Sequence, residues 1–106
     1  MIADIVIFRK FEDGAVIALF PYIAAVANDP WPCQSYMHVG QHGAADPRLV
    51  HDTRLANPRD YAALKRELHQ IGYRLTVRRR FPPDAHDRRR LYLKPFDNHC
   101  SLTTNS

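Results

Sequence analysis

The sequence predicts an α+β domain, in which one small antiparallel β-sheet carries a single amphipathic helix packed on one face. Two patterns predict it: strand–turn–strand over residues 4–20, and a helical apolar stripe that begins after Asn57. The expected order along the chain is β-β-β-α-β. A length of 106 residues suits one core, so we expect a compact domain at 1–81 and a basic, flexible C-terminal tail at 82–106.

Two apolar segments, Asp4–Phe11 and Ala15–Phe20, predict the first two strands. The turn between them contains Asp13-Gly14, a pair that favours a hairpin because glycine adopts positive φ at low cost. Both faces of these strands are apolar. We therefore expect them to lie near the middle of the sheet, or the second face to be covered by a second copy of the chain in a homodimer.

The next segment is predicted to contain one strand between two loops. Tyr22–Asn28, which is Ala-rich and follows a proline, predicts a loop with a short helical piece. Gln34–Val39 alternates between apolar and polar residues and predicts the third strand. Gly40 and Gly43 are expected to end that strand, and Leu49–His51 to add a short edge strand.

The helix has the clearest local signals. Asn57 is a natural N-cap, Pro58 fits the first helical position, and Gly72 fits the residue after the C-cap. An apolar stripe at helical spacing is formed by Tyr61, Leu64, Leu68 and Ile71. Tyr73–Phe81 then predicts the last strand, with alternate residues facing the core.

Charge is distributed unevenly along the chain, whose net charge is +4. Residues 1–73 contain seven Lys and Arg against eight Asp and Glu, whereas residues 74–106 contain eight against three. This excess predicts a surface for an acidic partner: nucleic acid, a membrane surface or an acidic protein face. The alternative is a charged edge strand that prevents sheet-to-sheet association. The predicted binding residues are Arg74, Arg78, Arg79, Arg80, Arg88, Arg89, Arg90 and Lys94.

A polar, glycine-containing stretch between Cys33 and Asp46 is the second candidate site. Its predicted site residues are Tyr36, His38, Gln41, His42 and Asp46. Imidazoles titrate near neutrality, so His38 and His42 are candidate acid–base groups for phosphodiester cleavage. The weak candidate metal ligands are Cys33, His38, His42 and His51. The alternative is a structural turn, whose polar side chains bond loop amides.

Three segments carry a resemblance to a known family. They are Ser-Tyr-Met-His-Val-Gly-Gln-His-Gly at 35–43, Ile-Phe-Arg-Lys-Phe at 7–11 and Asp-Tyr-Ala-Ala-Leu at 60–64. The chain resembles a family of small bacterial proteins from genomes and mobile elements that has no assigned activity. The resemblance extends from the first hairpin to Arg80 and has no counterpart after Pro82. It implies a compact bacterial domain and supplies no catalytic residues.

These observations predict a binding protein without catalysis or a cofactor, which associates with nucleic acid through its arginine-rich surface. One alternative is a protein-interaction module of a mobile element that docks on a host complex. Another is a small histidine-dependent enzyme or metal-binding protein. Two cysteines, no long apolar run and no basic leader before the first apolar run predict a cytoplasmic protein without a membrane partner.

Overall fold

The computed structural model describes residues 4–37 and 41–91, which form a small α+β domain. Its sheet has six strands, with the order β4-β3-β2-β1-β5 and with β6 paired to β1. The strands are β1 Asp4–Lys10, β2 Val16–Val26, β3 Asp29–Met37, β4 Gln41–Ala45, β5 Arg54–Leu55 and β6 Leu75–Val77. The predicted fold class is therefore confirmed, with two more strands than the expected order β-β-β-α-β contains.

The β1–β2 hairpin is confirmed, and Gly14 in its turn has a φ of +93°. Two short strands share the outer edge of β1. β5 pairs antiparallel with the end of β1, at Arg9 and Lys10, whereas β6 pairs parallel with the beginning of β1, at Asp4–Val6. All described pairings are antiparallel except that between β1 and β6.

The loop predicted at Tyr22–Asn28 is wrong, because β2 continues past Pro21 to Val26. The pairing with β3 jumps from Phe20 to Ala24, so Pro21 lies in an irregular part of the ladder. Proline has no N–H to donate, and a bulge is where a strand accommodates it. The result is a long β2–β3 hairpin instead of a loop.

The chain after β3 also differs from the prediction. Gly43 does not end a strand. It lies inside β4 and pairs with Ser35 of β3, so the expected polar loop is a fourth strand. Leu49–His51, predicted as an edge strand, belongs to a 3₁₀ helix at Pro47–His51. Asp46 caps this helix by accepting a hydrogen bond from the Arg48 amide at 2.8 Å.

The helix α1, Pro58–Gln70, is confirmed together with its caps. Asn57 and Asp60 form a reciprocal capping box, and Gly72 has a φ of +110°. Leu64 and Leu68 are buried on the sheet as predicted. Ile71 is the exception, because it is the C-cap and 52% of it is exposed.

The sheet has an apolar cluster on each face, and the chain itself covers both. The first cluster packs against α1 and contains Val6, Phe8, Ala18, Phe20, Tyr36, Ala56, Leu64 and Leu68. The second contains Ile7, Ile17, Leu19, Cys33 and Ala45. Leu49, Val50 and Phe81 pack against this second cluster. A second copy of the chain is therefore not needed to bury that face.

The predicted last strand, Tyr73–Phe81, is shortened to Leu75–Val77. The chain then forms a helical segment, 85–91, where the sequence predicted the start of a flexible tail. Ala85 and Arg89 of this segment are buried. In the described part of the chain, no helix has the length and apolar character needed to cross a membrane.

Candidate functional site

Three consecutive arginines lie where the chain leaves β6. Arg78, Arg79 and Arg80 are exposed, and they border a cleft of about 840 Å³ together with Arg9, Leu55 and Val77. We call this space the arginine cleft. It forms because β5 and β6 approach β1 from the same side: the Ala56 amide donates to Phe8 O and the Arg78 amide to Val6 O.

None of these three arginines forms an ion pair with a described acid. The ion pairs among the described residues join Lys10 to Asp60, Arg48 to Asp46, Arg88 to Asp84 and Arg90 to Asp87. No described carboxylate lies within ion-pair distance of Arg78, Arg79 or Arg80. The cleft therefore presents three exposed positive groups to solvent.

Arg9 forms the fixed wall of the arginine cleft. Its guanidinium donates to Thr53 Oγ1 at 3.0 Å and to Val50 O at 2.8 Å, which ties β1 to the 3₁₀ helix and to the loop after it. Burial lowers the pKa of Arg9 from its ordinary value. The side chain supports the loop, and its charge still adds to the positive potential of the cleft.

The other predicted basic residues that the structure describes do not line the arginine cleft. Arg74 is exposed at the opposite end of β6. Arg88 and Arg90 are exposed on segment 85–91, each in an ion pair with an acid of its own turn. Lys94 lies outside the described residues. Of the seven predicted residues that the structure describes, Arg78, Arg79 and Arg80 are those that border the arginine cleft.

Arg89 is a correction to the predicted binding set. It is only 1% exposed, and its Nε and Nη1 donate to Pro30 O and Pro21 O, each at 2.7 Å. The irregular β2–β3 pairing leaves these carbonyls available as acceptors. Arg89 therefore fastens segment 85–91 to the β2–β3 hairpin and is not accessible to a partner.

The histidine-rich stretch does not form a metal centre among the described residues. Cys33 packs in the second apolar cluster, whereas the ring of His42 lies against Tyr36 of the first, at a centroid distance of 4.6 Å. Three positions separate Cys33 from Tyr36 on β3, so they face opposite sides of the sheet. His51 is exposed in the 3₁₀ helix.

Of the predicted acid–base pair, the structure describes only His42. His38 lies outside the described residues, and His42 is exposed with its Nε2 at 3.3 Å from the hydroxyl of Tyr73. Burial, followed by the charge of Asp4, raises the pKa of Tyr73, so that phenol is a poor proton donor at neutral pH. Cys33 is also inert, because burial raises its pKa to about 11.

Asp46, the last predicted residue of the stretch, belongs to a separate cluster. Its carboxylate accepts from Trp31 Nε1 at 3.1 Å and from Arg48 Nη2 at 2.7 Å. Hydrogen bonds from Arg48 lower the pKa of Asp46 to about 2. Trp31 is 41% exposed, and the Arg48 guanidinium carbon lies 5.7 Å from its ring centroid. The cluster stabilises the start of the 3₁₀ helix.

No protein family, curated protein or solved structure was found to match this chain. The resemblance to small bacterial and mobile-element proteins thus stays a prediction. Among the candidate sites, the arginine cleft is where several exposed arginines without an ion-pair partner among the described residues border one space. Reasoning from sequence missed Arg9 and Leu55 as neighbours of this cleft, and no local pattern in the sequence marks them.

Proposed function

We propose that this protein binds nucleic acid through Arg78, Arg79 and Arg80 and does not catalyse a reaction. The observation that carries this proposal is the exposed arginine triplet, which has no acidic partner among the described residues and borders a cleft. Soluble surfaces usually intersperse both signs of charge. A concentrated triplet therefore favours an anionic partner over a role in solubility alone.

Arginine is well suited to phosphate for two reasons. Its guanidinium stays charged at any physiological pH, and its planar set of donors can contact two phosphate oxygens at once. Three such contacts on a single strand predict a slope of about −2.1 for log affinity against log salt. A fourfold rise in salt would then weaken binding by about 20-fold.

The test is a fluorescence-anisotropy titration of the full chain with labelled single- and double-stranded DNA and RNA, at about 50 and 200 mM salt. We expect measurable binding at the lower salt and the loss of affinity given above at the higher salt. The double variant Arg79→Gln/Arg80→Gln should weaken binding and reduce the magnitude of the salt slope by about 1.4.

A matched control separates the site from the total charge. Lys65→Gln/Arg66→Gln removes two positive charges from α1, away from the arginine cleft. We expect this variant to bind almost as the parent does. Equal losses in the two double variants would contradict a defined site, and absence of binding at about 50 mM salt would overturn the proposal. Aggregation of Arg79→Gln/Arg80→Gln with unchanged affinity would instead support the alternative that these charges prevent sheet-to-sheet association.

A further inference from the structure

A second, less polar cleft adjoins the arginine cleft. Its volume is about 440 Å³, and it lies between the first turn of α1 and the end of β6. Leu55, Val77, Arg78 and Arg79 border both clefts, so the two lie side by side. We call this second space the apolar cleft, and its other lining residues are Phe8, Ala56, Asn57, Pro58 and Tyr61.

An aromatic ring forms one wall of the apolar cleft. Tyr61 stacks on the buried ring of Phe8, with a centroid distance of 4.3 Å and an interplanar angle of 11°. Phe8 is 1% exposed, whereas Tyr61 is half-buried. Phe8 thus covers one face of the tyrosine ring, and Tyr61 also lines the apolar cleft.

The rim of the apolar cleft also offers a hydrogen-bond donor. Asn57 is exposed, and its side-chain oxygen is used by the capping box, where it accepts from the Asp60 amide at 2.9 Å. Its amide nitrogen has no partner among the described residues. An apolar wall, a planar ring and a free amide therefore meet next to Arg78 and Arg79.

We infer that the nucleic acid is single-stranded and that one of its unstacked bases occupies the apolar cleft, beside Tyr61. This inference rests on the proposed function, because the adjacent arginines would hold the phosphates that flank the base. A duplex keeps its bases paired and stacked in its interior, so none of them could enter the apolar cleft. Rings that stack on bases next to a basic groove are how proteins recognise single strands without reading a sequence.

The test compares three probes of about ten nucleotides with the full chain: a thymidine single strand, an abasic single strand of equal length, and a duplex. We expect the thymidine strand to bind about 5- to 150-fold more tightly than the abasic strand, the range that stacking of one base provides. The duplex should bind no better than the abasic strand.

Two tyrosine variants locate the base. Tyr61→Leu keeps an apolar side chain but removes the ring, and should reduce the affinity for the thymidine strand to that for the abasic strand without changing the salt slope. Tyr73→Leu is the matched control, since Tyr73 also stacks on a buried phenylalanine of the first cluster, at 5.0 Å from Phe20. Tyr61→Phe should bind as the parent does. Circular dichroism verifies that each variant is folded.

The outcomes separate this inference from the proposed function. Equal, salt-dependent binding of the thymidine and abasic strands would overturn the inference and leave the phosphate-binding proposal intact. A preference for thymidine that survives Tyr61→Leu would also overturn it, because the base would then lie elsewhere. If none of the probes binds at about 50 mM salt, the inference and the proposed function are both wrong.

Discussion

Arg89 provides the sharpest prediction about stability. Its buried guanidinium donates to two carbonyls of the β2–β3 hairpin, which lie 59 and 68 positions earlier in the chain. Arg89→Met preserves most of the length and apolar volume of the side chain but removes both donors. The variant therefore isolates the contribution of these two hydrogen bonds to holding segment 85–91 on the hairpin.

The expected effect is the difference between two opposing terms. Each hydrogen bond from a charged group contributes about 1.5–3 kcal/mol, and its loss leaves a buried carbonyl without a partner. Burial of the guanidinium opposes this, and it is also what lowers the pKa of Arg89. We therefore expect Arg89→Met to reduce the free energy of local opening by about 2–4 kcal/mol.

The assay is the rate at which the Cys33 thiol is labelled under native conditions, in a Cys100→Ser background. Cys33 is fully buried, and the charge of Arg89 acts on its pKa, so the two side chains are close neighbours. A loss of about 2–4 kcal/mol corresponds to labelling about 30- to 700-fold faster. Arg90→Met, which removes an exposed arginine of the same segment, should change the rate by less than about twofold.

The reasoning fails if Arg89→Met and Arg90→Met label at the same rate. In that case the two hydrogen bonds would not hold segment 85–91 in place. An equal fall in the global unfolding free energy for the two variants, measured by denaturant titration, would contradict it in the same way.

Two further predictions concern caps. The pKa of Asp46 is lowered to about 2, mainly by hydrogen bonds from Arg48, so this contact stabilises the fold above pH 3.8 and is lost as pH falls through about 2. Arg48→Gln should raise the pKa of Asp46, which NMR of the carboxyl carbon measures. An unchanged pKa would contradict the assignment. Asn57→Ala should lower the unfolding free energy by about 1 kcal/mol in denaturant titration, because α1 loses its capping box; no change would contradict it.

Features encoded locally could be predicted from the sequence. The turn at Gly14 and the capping of α1 by Asn57 depend on residues only a few positions apart. The course of β2 past Pro21 could not be predicted, since it depends on a bulge against β3. The burial of Arg89 could not be predicted either, because arginine is rarely buried and because its hydrogen-bond acceptors are distant in the chain.

The candidate site was predictable only in part, for the same physical reason. The excess of positive charge after residue 73 pointed to Arg78, Arg79 and Arg80. The clefts beside them could not be foreseen, because their walls come from several separate segments, including β5 and α1. Sequence periodicity predicts which face of an element is apolar, but not which elements leave a gap between them.

The most direct test of the central claim is an NMR titration of the isotope-labelled full chain with a single-stranded oligonucleotide at about 50 mM salt, observing the arginine Nε–Hε signals. The account predicts that the signals of Arg78, Arg79 and Arg80 shift together, saturate at one stoichiometry and return as salt is raised, while that of Arg66 on α1 stays in place. Shifts that exclude the triplet, or that are equally large for Arg66, would contradict it.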